Sequence, residues 1–437
     1  MKILIKGGTL LNPADKIEQA TDILVNEGLI EEVGKGLGSQ GASVIDADGA
    51  YVGPGFVDLH VHLREPGRED EETIETGSRA AAAGGFTCIV AMPNTDPVCD
   101  NAAVAEKVAG RGRMVGLVDV IPAGAITKDL AGKHLSPIGE MVQSSARVRM
   151  FTDDGKGVSD SRLLRRAMEY IRGFDGVCAE HCEDASLSEG GQMNEGEFSD
   201  SLGLKGIPAE AEEVALGRDL ALAGLTGVRF HALHISTAGS VELIRAAKRS
   251  GIRVTAEASP HHISLTDSEL ISYDPVFKVN PPLRSQADVE ALKQGLVDGT
   301  IDALATDHAP HSPEEKEAEF ELAPPGMIGL ETALAVAITE LVKPGLISLS
   351  KLVELMSSGP ARILGLTDQG GPVVAGAPAN LVVFDPSAEW VVDTGSMHSM
   401  SRNSPWQDRA LTGKVLATVF NGSISYDSNR VLAGAGL

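Results

Sequence analysis

The chain predicts an α/β protein, a (β/α)8 TIM barrel with a small β-sandwich domain built from both chain ends. Three observations lead there. Between residues 54 and 366, short apolar runs alternate with helical stretches often enough to supply parallel βα units in a number that suits a closed barrel. Residues 1–53 and 367–437 read as successive short strands of one style, and either segment alone would struggle to bury a core. At 437 residues the chain also exceeds the size at which a single core keeps growing, so one large domain beside a smaller one is expected.

In chain order, Lys2–Leu11, Asp22–Val33 and Ser43–Val52 alternate or run apolar between Gly, Asn and Asp turn signals, as strands do. Gly36-x-Gly38-x-x-Gly41 formally matches a dinucleotide fingerprint, but another strand follows it where a helix should, so it reads as a loop. From Gly55 the texture changes. The strand through His60 and His62 precedes a helix over Glu71–Ala83, ended by Gly84-Gly85. Thr87–Met92 is a strand, a helix starts near Ala102, and Met114–Ile121 and Ser144–Phe151 are further strands. A helix over Arg162–Arg172, the strand Val177–His181 and the helix Ala209–Ala223 come next. Val228–Ile235, the helix Ala238–Ser250, Val254–Ala258 and Ile301–Ala305 continue the alternation. Strands return at Ala379–Phe384, Trp390–Val392 and Val415–Phe420. Ser312–Phe320 is charge-rich, mostly acidic, and next to a candidate site, which suits either a solvated helix face or an active-site lid.

Composition narrows the function. Hydrophobic residues make up 43% and charged residues 22%, ordinary for a soluble globular chain, and the formal net charge of −24 argues against nucleic acid and anionic membrane as partners. An anionic substrate would therefore need local positive charge, from a metal or a placed arginine. Four cysteines, with no Cys-x-x-Cys pair, do not make a disulfide framework. With no signal peptide at Met1–Gly8 and no apolar run of membrane-spanning length, a cytoplasmic protein is expected.

The chemistry concentrates at strand ends. Gly53-Pro54-Gly55 opens an apolar strand that carries His60, His62 and Arg64; residues two apart share a face, so the two imidazoles make half of a first-row metal site. One His-x-His is only moderately specific, but Asp154, His181, His234 and Asp307 also follow apolar strands, at the end of the barrel where catalytic groups gather. Four imidazoles and two carboxylates suffice for two divalent cations with positions left for water, and paired cations activate water and clamp an oxyanion.

These motifs resemble the amidohydrolase superfamily and, within it, bacterial type I dihydroorotases. The likeness covers nearly the whole chain. It is carried by Val57–Arg64, Ala91-Met92-Pro93-Asn94-Thr95, Phe151-Thr152-Asp153-Asp154-Gly155, Ala179–Glu183, His234–Thr237, Glu257–His262, Asn280–Arg284 and Ala305–His311, the last two being especially specific. The resemblance implies two zinc ions per chain held by His60, His62, Asp154, His181, His234 and Asp307. Many relatives bridge their metals with a carboxylated lysine; the type I branch uses an aspartate, here Asp154, with Asp153 as the alternative. It implies interconversion of N-carbamoyl-L-aspartate and (S)-dihydroorotate, the third step of de novo pyrimidine synthesis, with Asp307 as the catalytic acid/base. Substrate binding carries over to His62, Arg64, Asn94, Asn280 and His311, with backbone contacts from Pro325 and Gly326. Zinc, cobalt and manganese all suit the ligands. A homodimer and association with aspartate transcarbamoylase are both compatible with the resemblance.

Other residues read more plainly. His134, His231 and His398 lie outside any motif and suit surface or core positions. His261 and His262 suit hydrogen-bonding roles, and Cys182 suits a buried free thiol. Two alternatives stand beside the main one. One is a cyclic amidase acting on hydantoin, dihydropyrimidine or allantoin, whose members usually carry the bridging lysine. The other is an inactive scaffold homologue, which would lose metal-binding histidines; none of the expected positions is lost here.

Overall fold

The computed structural model describes residues 2–13, 16–429 and the backbone of 431–432. Five strands come first: β1 (Lys2–Asn12), β2 (Ile17–Asn26), β3 (Leu29–Gly34), β4 (Ser43–Asp46) and β5 (Tyr51–Pro54). Two predicted strands are each divided. Asp22–Val33 breaks at Glu27 and Gly28, both at positive φ (48° and 86°), giving a hairpin between β2 and β3. Ser43–Val52 breaks around Gly49, also at positive φ. The Gly36–Gly41 segment is turn and loop, with no helix behind it.

Eight parallel strands then build the barrel: β6 (Phe56–Val61), β7 (Phe86–Ala91), β8 (Asp119–Pro122), β9 (Met150–Phe151) and β10 (Val177–Glu180) come before a small two-stranded insertion, β11 (Met193–Asn194) with β12 (Gly206–Ile207). The circle continues with β13 (Arg229–Ala232), β14 (Val254–Ala258) and β15 (Ala303–Leu304). Parallel pairing runs β6-β7-β8 and β9-β10-β13-β14-β15. Bridges from Gly124 to Phe151 and from Val61 to His308 join the two arcs. Closure leaves no free edge, and the strand ends point one way.

The helices between them follow local signals. Thr73 caps Ile74–Ala83, Asn101 caps Ala102–Val115, Asp160 caps Ser161–Arg172 and Thr237 caps Ala238–Arg249. The first begins three residues later than predicted because Glu71 and Glu72 are spent on tertiary partners, Arg64 with Arg68 and His308 with Ser399. The second runs on to Val115, so the strand expected from Met114 is confined to Asp119–Pro122. Ser144–Phe151 yields only the two residues of β9.

The chain closes with β16 (Leu381–Val391), β17 (Ala410–Phe420), β18 (Ser423–Asp427) and β19 (Val431–Leu432). Trp390-Val391 is the end of β16, not a separate strand. One nine-stranded sheet unites these with β1–β5: β16 pairs antiparallel with β5, and β19 with β4. Ile3, Ile5, Ile23 and Val25 from one end pack with Leu381, Val383, Ala417 and Val419 from the other in a core of their own. Burying each end against the other solves the size problem that neither solves alone. No helix among the described residues is long and apolar enough to cross a membrane.

Candidate active site

At the C-terminal end of the barrel the six predicted ligands form one buried cluster. His60 is in β6, His62 follows it, Asp154 follows β9, His181 follows β10, His234 follows β13 and Asp307 follows β15. Asp154 is the hub. Its Oδ2 lies 3.4 Å from His60 Nε2 and 3.6 Å from His62 Nε2; its Oδ1 lies 3.4 Å from His234 Nε2 and 3.8 Å from His181 Nδ1. Asp307 Oδ1 closes the first group, 3.5 Å from His60 Nε2 and 3.2 Å from His62 Nε2. Two ligands about 2.1 Å from one tetrahedral ion stand roughly 3.4 Å apart, so these spacings are compatible with a shared cation.

Asp153 goes elsewhere. Its carboxylate accepts from Thr127 N at 2.9 Å and from the Thr127 hydroxyl, and burial pushes it up to about 6. Between the two aspartates, Asp154 is the one among the histidines.

The donor set fits divalent metal. His60 Nε2 and Asp154 Oδ1 are buried without a hydrogen-bond partner, and His181 Nδ1 and His234 Nε2 face each other at 3.0 Å. Burial would lower His60 and raise Asp154, but the cluster's opposite charges win: His60 is held well above its ordinary value and Asp154 well below. A second carboxylate, Asp307, is likewise held low, its burial outweighed by His60 and His62. This pocket demands positive charge.

Backbone geometry contributes too. Arg64, His234 and Asp307 have φ of 61°, 25° and 50°, conformations that cost non-glycine residues on the order of 1 kcal/mol or more each. Each lies two or three residues past the end of its strand, where the positive φ turns the chain at the cleft. The strand expected over Val228–Ile235 spans only Arg229–Ala232, and Arg64 does not continue the His60/His62 face by alternation. Asp58, buried at the centre of β6, accepts from His60 N at 3.1 Å and Thr306 N at 3.0 Å, tying the strand of His60 to the segment that carries Asp307; burial pushes its carboxyl up to about 7.

Above the cluster is a cleft of about 200 Å³ lined by His62, Arg64, Asn94, Asn280, His311, Pro325 and Gly326 together with Asp154, His181, His234 and Asp307. His60 lies beneath, fully buried. The volume is below the ~300–1,000 Å³ of sites for drug-sized ligands, which suits a single small ring. Several of these groups already hold one another. Asn94 Oδ1 is 2.9 Å from His62 Nδ1, and Asn280 Nδ2 donates to Glu183 Oε2 at 2.9 Å. Pro325 O is 3.0 Å from His311 Nε2, while Gly326 N donates to Lys278 O at 2.8 Å. Arg64 Nε donates to Pro310 O at 3.0 Å and stands 2.9 Å from Glu71 Oε2.

Sequence reasoning missed the acids behind these groups. Glu257 stands 3.0 Å from His60 Nδ1 and Glu183 3.5 Å from His181 Nε2; though burial opposes it, the imidazoles bring both carboxyls down to about 2. Both lie inside the motif segments quoted above, next to strand ends, which was the available signal. Glu71 carried none, because Arg68-Glu69-Asp70-Glu71-Glu72 looks like a solvated charge run. A third acid/imidazole group, Glu71, His311 and Glu315, is charge-balanced by Arg64 and Arg68. Of the remaining histidines and cysteines, His231 is core, His398 is half-exposed beside Glu331, His262 Nε2 meets Pro281 O at 2.9 Å and Cys182 is a buried free thiol, as expected, whereas His261 Nε2 is buried without the hydrogen-bond partner expected of it.

A family model described as "Dihydro-orotase-like" matches residues 49–240. The chain is 50% identical to the "Dihydroorotase" of Leifsonia xyli subsp. xyli, covering 95% of each, and 49% identical to that of Streptomyces coelicolor, covering 96% of this chain and 97% of the relative. The relative from Pelotomaculum thermopropionicum is 50% identical over 97% of this chain and 98% of its own. Among solved structures, an L-hydantoinase (dihydropyrimidinase) from Arthrobacter aurescens superposes with a TM-score of 0.86 at 27% identity, covering 99% and 97% of the two chains. A dihydropyrimidinase from Brevibacillus agri shares the fold, with a TM-score of 0.84 at 24% identity over 99% and 96%. Identity near one half over almost the full length, together with a barrel whose buried histidines surround one aspartate, makes this chain a member of the dihydroorotase family of the amidohydrolase superfamily.

Proposed function

We propose that the chain interconverts N-carbamoyl-L-aspartate and (S)-dihydroorotate in this cleft, as the third step of de novo pyrimidine synthesis, with two zinc ions per chain. The observation that carries the reading is the division of Asp154: one oxygen toward His60 and His62, the other toward His181 and His234, with Arg64 lining the same cleft. His60, His62, Asp154, His181, His234 and Asp307 would hold the two ions, which when bound supply Lewis acidity and a lowered pKa for water.

The chain's own groups do the rest. Arg64, with His311 3.3 Å from its Nη2, grips the substrate carboxylate, and Asn94 and Asn280 orient the ring. Asp307, ionised and lining the cleft, takes the proton from the attacking water and delivers it to the leaving ring nitrogen. In the direction of synthesis it carries the proton back as the ring closes. Hydrogen bonds within the protein fix most of these side chains in advance, so little ordering remains to be done on binding.

The hydantoinase-like solved structures raise a cyclic-amidase reading, but an aspartate stands here between the two histidine pairs, where a bridging lysine would be expected of such an enzyme, and an arginine lines the cleft wall. Turnover separates the two. The zinc-loaded chain is expected to favour dihydroorotate over hydantoin and allantoin by at least ~10²-fold in kcat/KM, the discrimination of a site built around a buried charge. The opposite preference would overturn the proposal.

A further inference from the structure

Beneath the ligand cluster, His60 rests on a chain of hydrogen-bonded groups that the proposed reaction does not use. Its Nδ1 lies 3.0 Å from Glu257 Oε1; Glu257 Oε2 lies 3.0 Å from His231 Nε2; His231 Nδ1 lies 2.8 Å from the Thr255 hydroxyl. Glu257, at the end of β14, thus reaches past β15 to β6 inside the barrel, and all three of His60, Glu257 and His231 are fully buried. Glu257 Oε1 also stands 3.4 Å from the backbone N–H of His234, the ligand with φ of 25°.

We propose that Glu257, held in place by His231, is the positioning residue of the metal centre: it fixes the tautomer and ring plane of His60 and steadies the turn that presents His234. The inference rests on the two-metal reading above. A carboxylate only accepts hydrogen bonds, so the imidazole nitrogens facing it must both carry hydrogen. His60 then carries a hydrogen at Nδ1, which leaves Nε2, aimed at the space shared with Asp154 and Asp307, as the nitrogen a metal ion would take. His231 donates from Nε2, which leaves its Nδ1 to accept from Thr255. Stability alone does not account for the arrangement, because well-packed apolar residues in place of a buried ionic group are often as stable or more so. Orientation of a ligand imidazole does account for it.

The test uses the full chain, stripped of metal and titrated with Zn²⁺ and Co²⁺ against a competing chelator, with the Co²⁺ visible absorption recorded for each variant. Glu257→Gln keeps the shape but places an amide where only acceptors serve. It is expected to weaken metal binding by ~10–100-fold and to alter the cobalt spectrum. His231→Leu should weaken binding several-fold, roughly, whereas His231→Gln, which can donate from the position of Nε2, should restore most of the affinity. Wild-type affinity and spectrum in Glu257→Gln would overturn the inference. So would equal loss in the two His231 variants, and this pair decides the matter if Glu257→Gln does not fold. A wild-type chain that binds neither ion would overturn the two-metal reading and this inference together.

Discussion

Replacing Arg64 with methionine tests the substrate reading at its most specific point. Arg64 is 6% exposed. Burial and the neighbouring Arg68 push its guanidinium down to about 10, so it is still charged at neutral pH. Its Nε is committed to Pro310 O and Glu71 and its Nη2 stands 3.3 Å from His311 Nε2, which leaves the remaining Nη hydrogens to meet a ligand carboxylate. Charge-assisted hydrogen bonds contribute about 1.5–3 kcal/mol each, so losing two in a desolvated site costs about 3–6 kcal/mol, or roughly 10²–10⁴-fold in kcat/KM. Methionine keeps much of the bulk, and Glu71 retains Arg68 as a partner, which limits the loss of stability. The assay is kcat/KM for dihydroorotate and for dihydrouracil, a ring without the carboxylate, alongside metal content per chain. Dihydroorotate turnover should fall by the full factor, dihydrouracil turnover should change little, and metal content should hold. A parallel fall on both rings, or none on either, would refute the assignment of Arg64 as the carboxylate clamp.

Other outcomes follow from neighbouring residues. Asp154→Asn should lose metal, measured by elemental analysis, whereas Asp153→Asn should keep it and lower the urea midpoint through its Thr127 contacts. Glu315 holds His311 at 3.1 Å and Arg68 at 2.7 Å, so Glu315→Ala should raise KM for dihydroorotate by ~10-fold, about 1.4 kcal/mol, with kcat little changed; the reverse split would assign the segment to chemistry. Asp119, remote from the cluster, is pushed by burial and then by Asp368 up to about 6, above its ordinary 3.8. Its contribution to stability is therefore full below pH 3.8 and is lost as pH rises through about 6. That separation is at most about 3 kcal/mol, reduced to roughly 1–2 kcal/mol by partial exposure. Asp119→Asn should remove this slope from urea midpoints measured between pH 4 and 7 and raise stability at pH 7; an unchanged slope would show that the carboxylate is solvated.

The amino-acid sequence by itself determined the architecture and which histidines and aspartates stand at the strand ends. The βα alternation, the strand-like ends and the residues at strand termini are local patterns, set by apolar periodicity and by turn chemistry within a few residues. What it did not determine was which atoms meet. Asp153 and Asp154 are adjacent and chemically identical, and Thr127, from the loop after β8, takes one of them away from the histidines. Arg64, His234 and Asp307 sit at positive φ, which no residue type among them announces, so alternation along the chain does not give the side-chain directions at the site. Glu71, Glu183 and Glu257 resemble ordinary acids until closure of the barrel brings them beneath Arg64, His181 and His60. Local chemistry selects the strands and helices; closing eight strands into a ring decides which buried charges face one another, because that juxtaposition joins residues as far apart in the chain as His60 and Asp307.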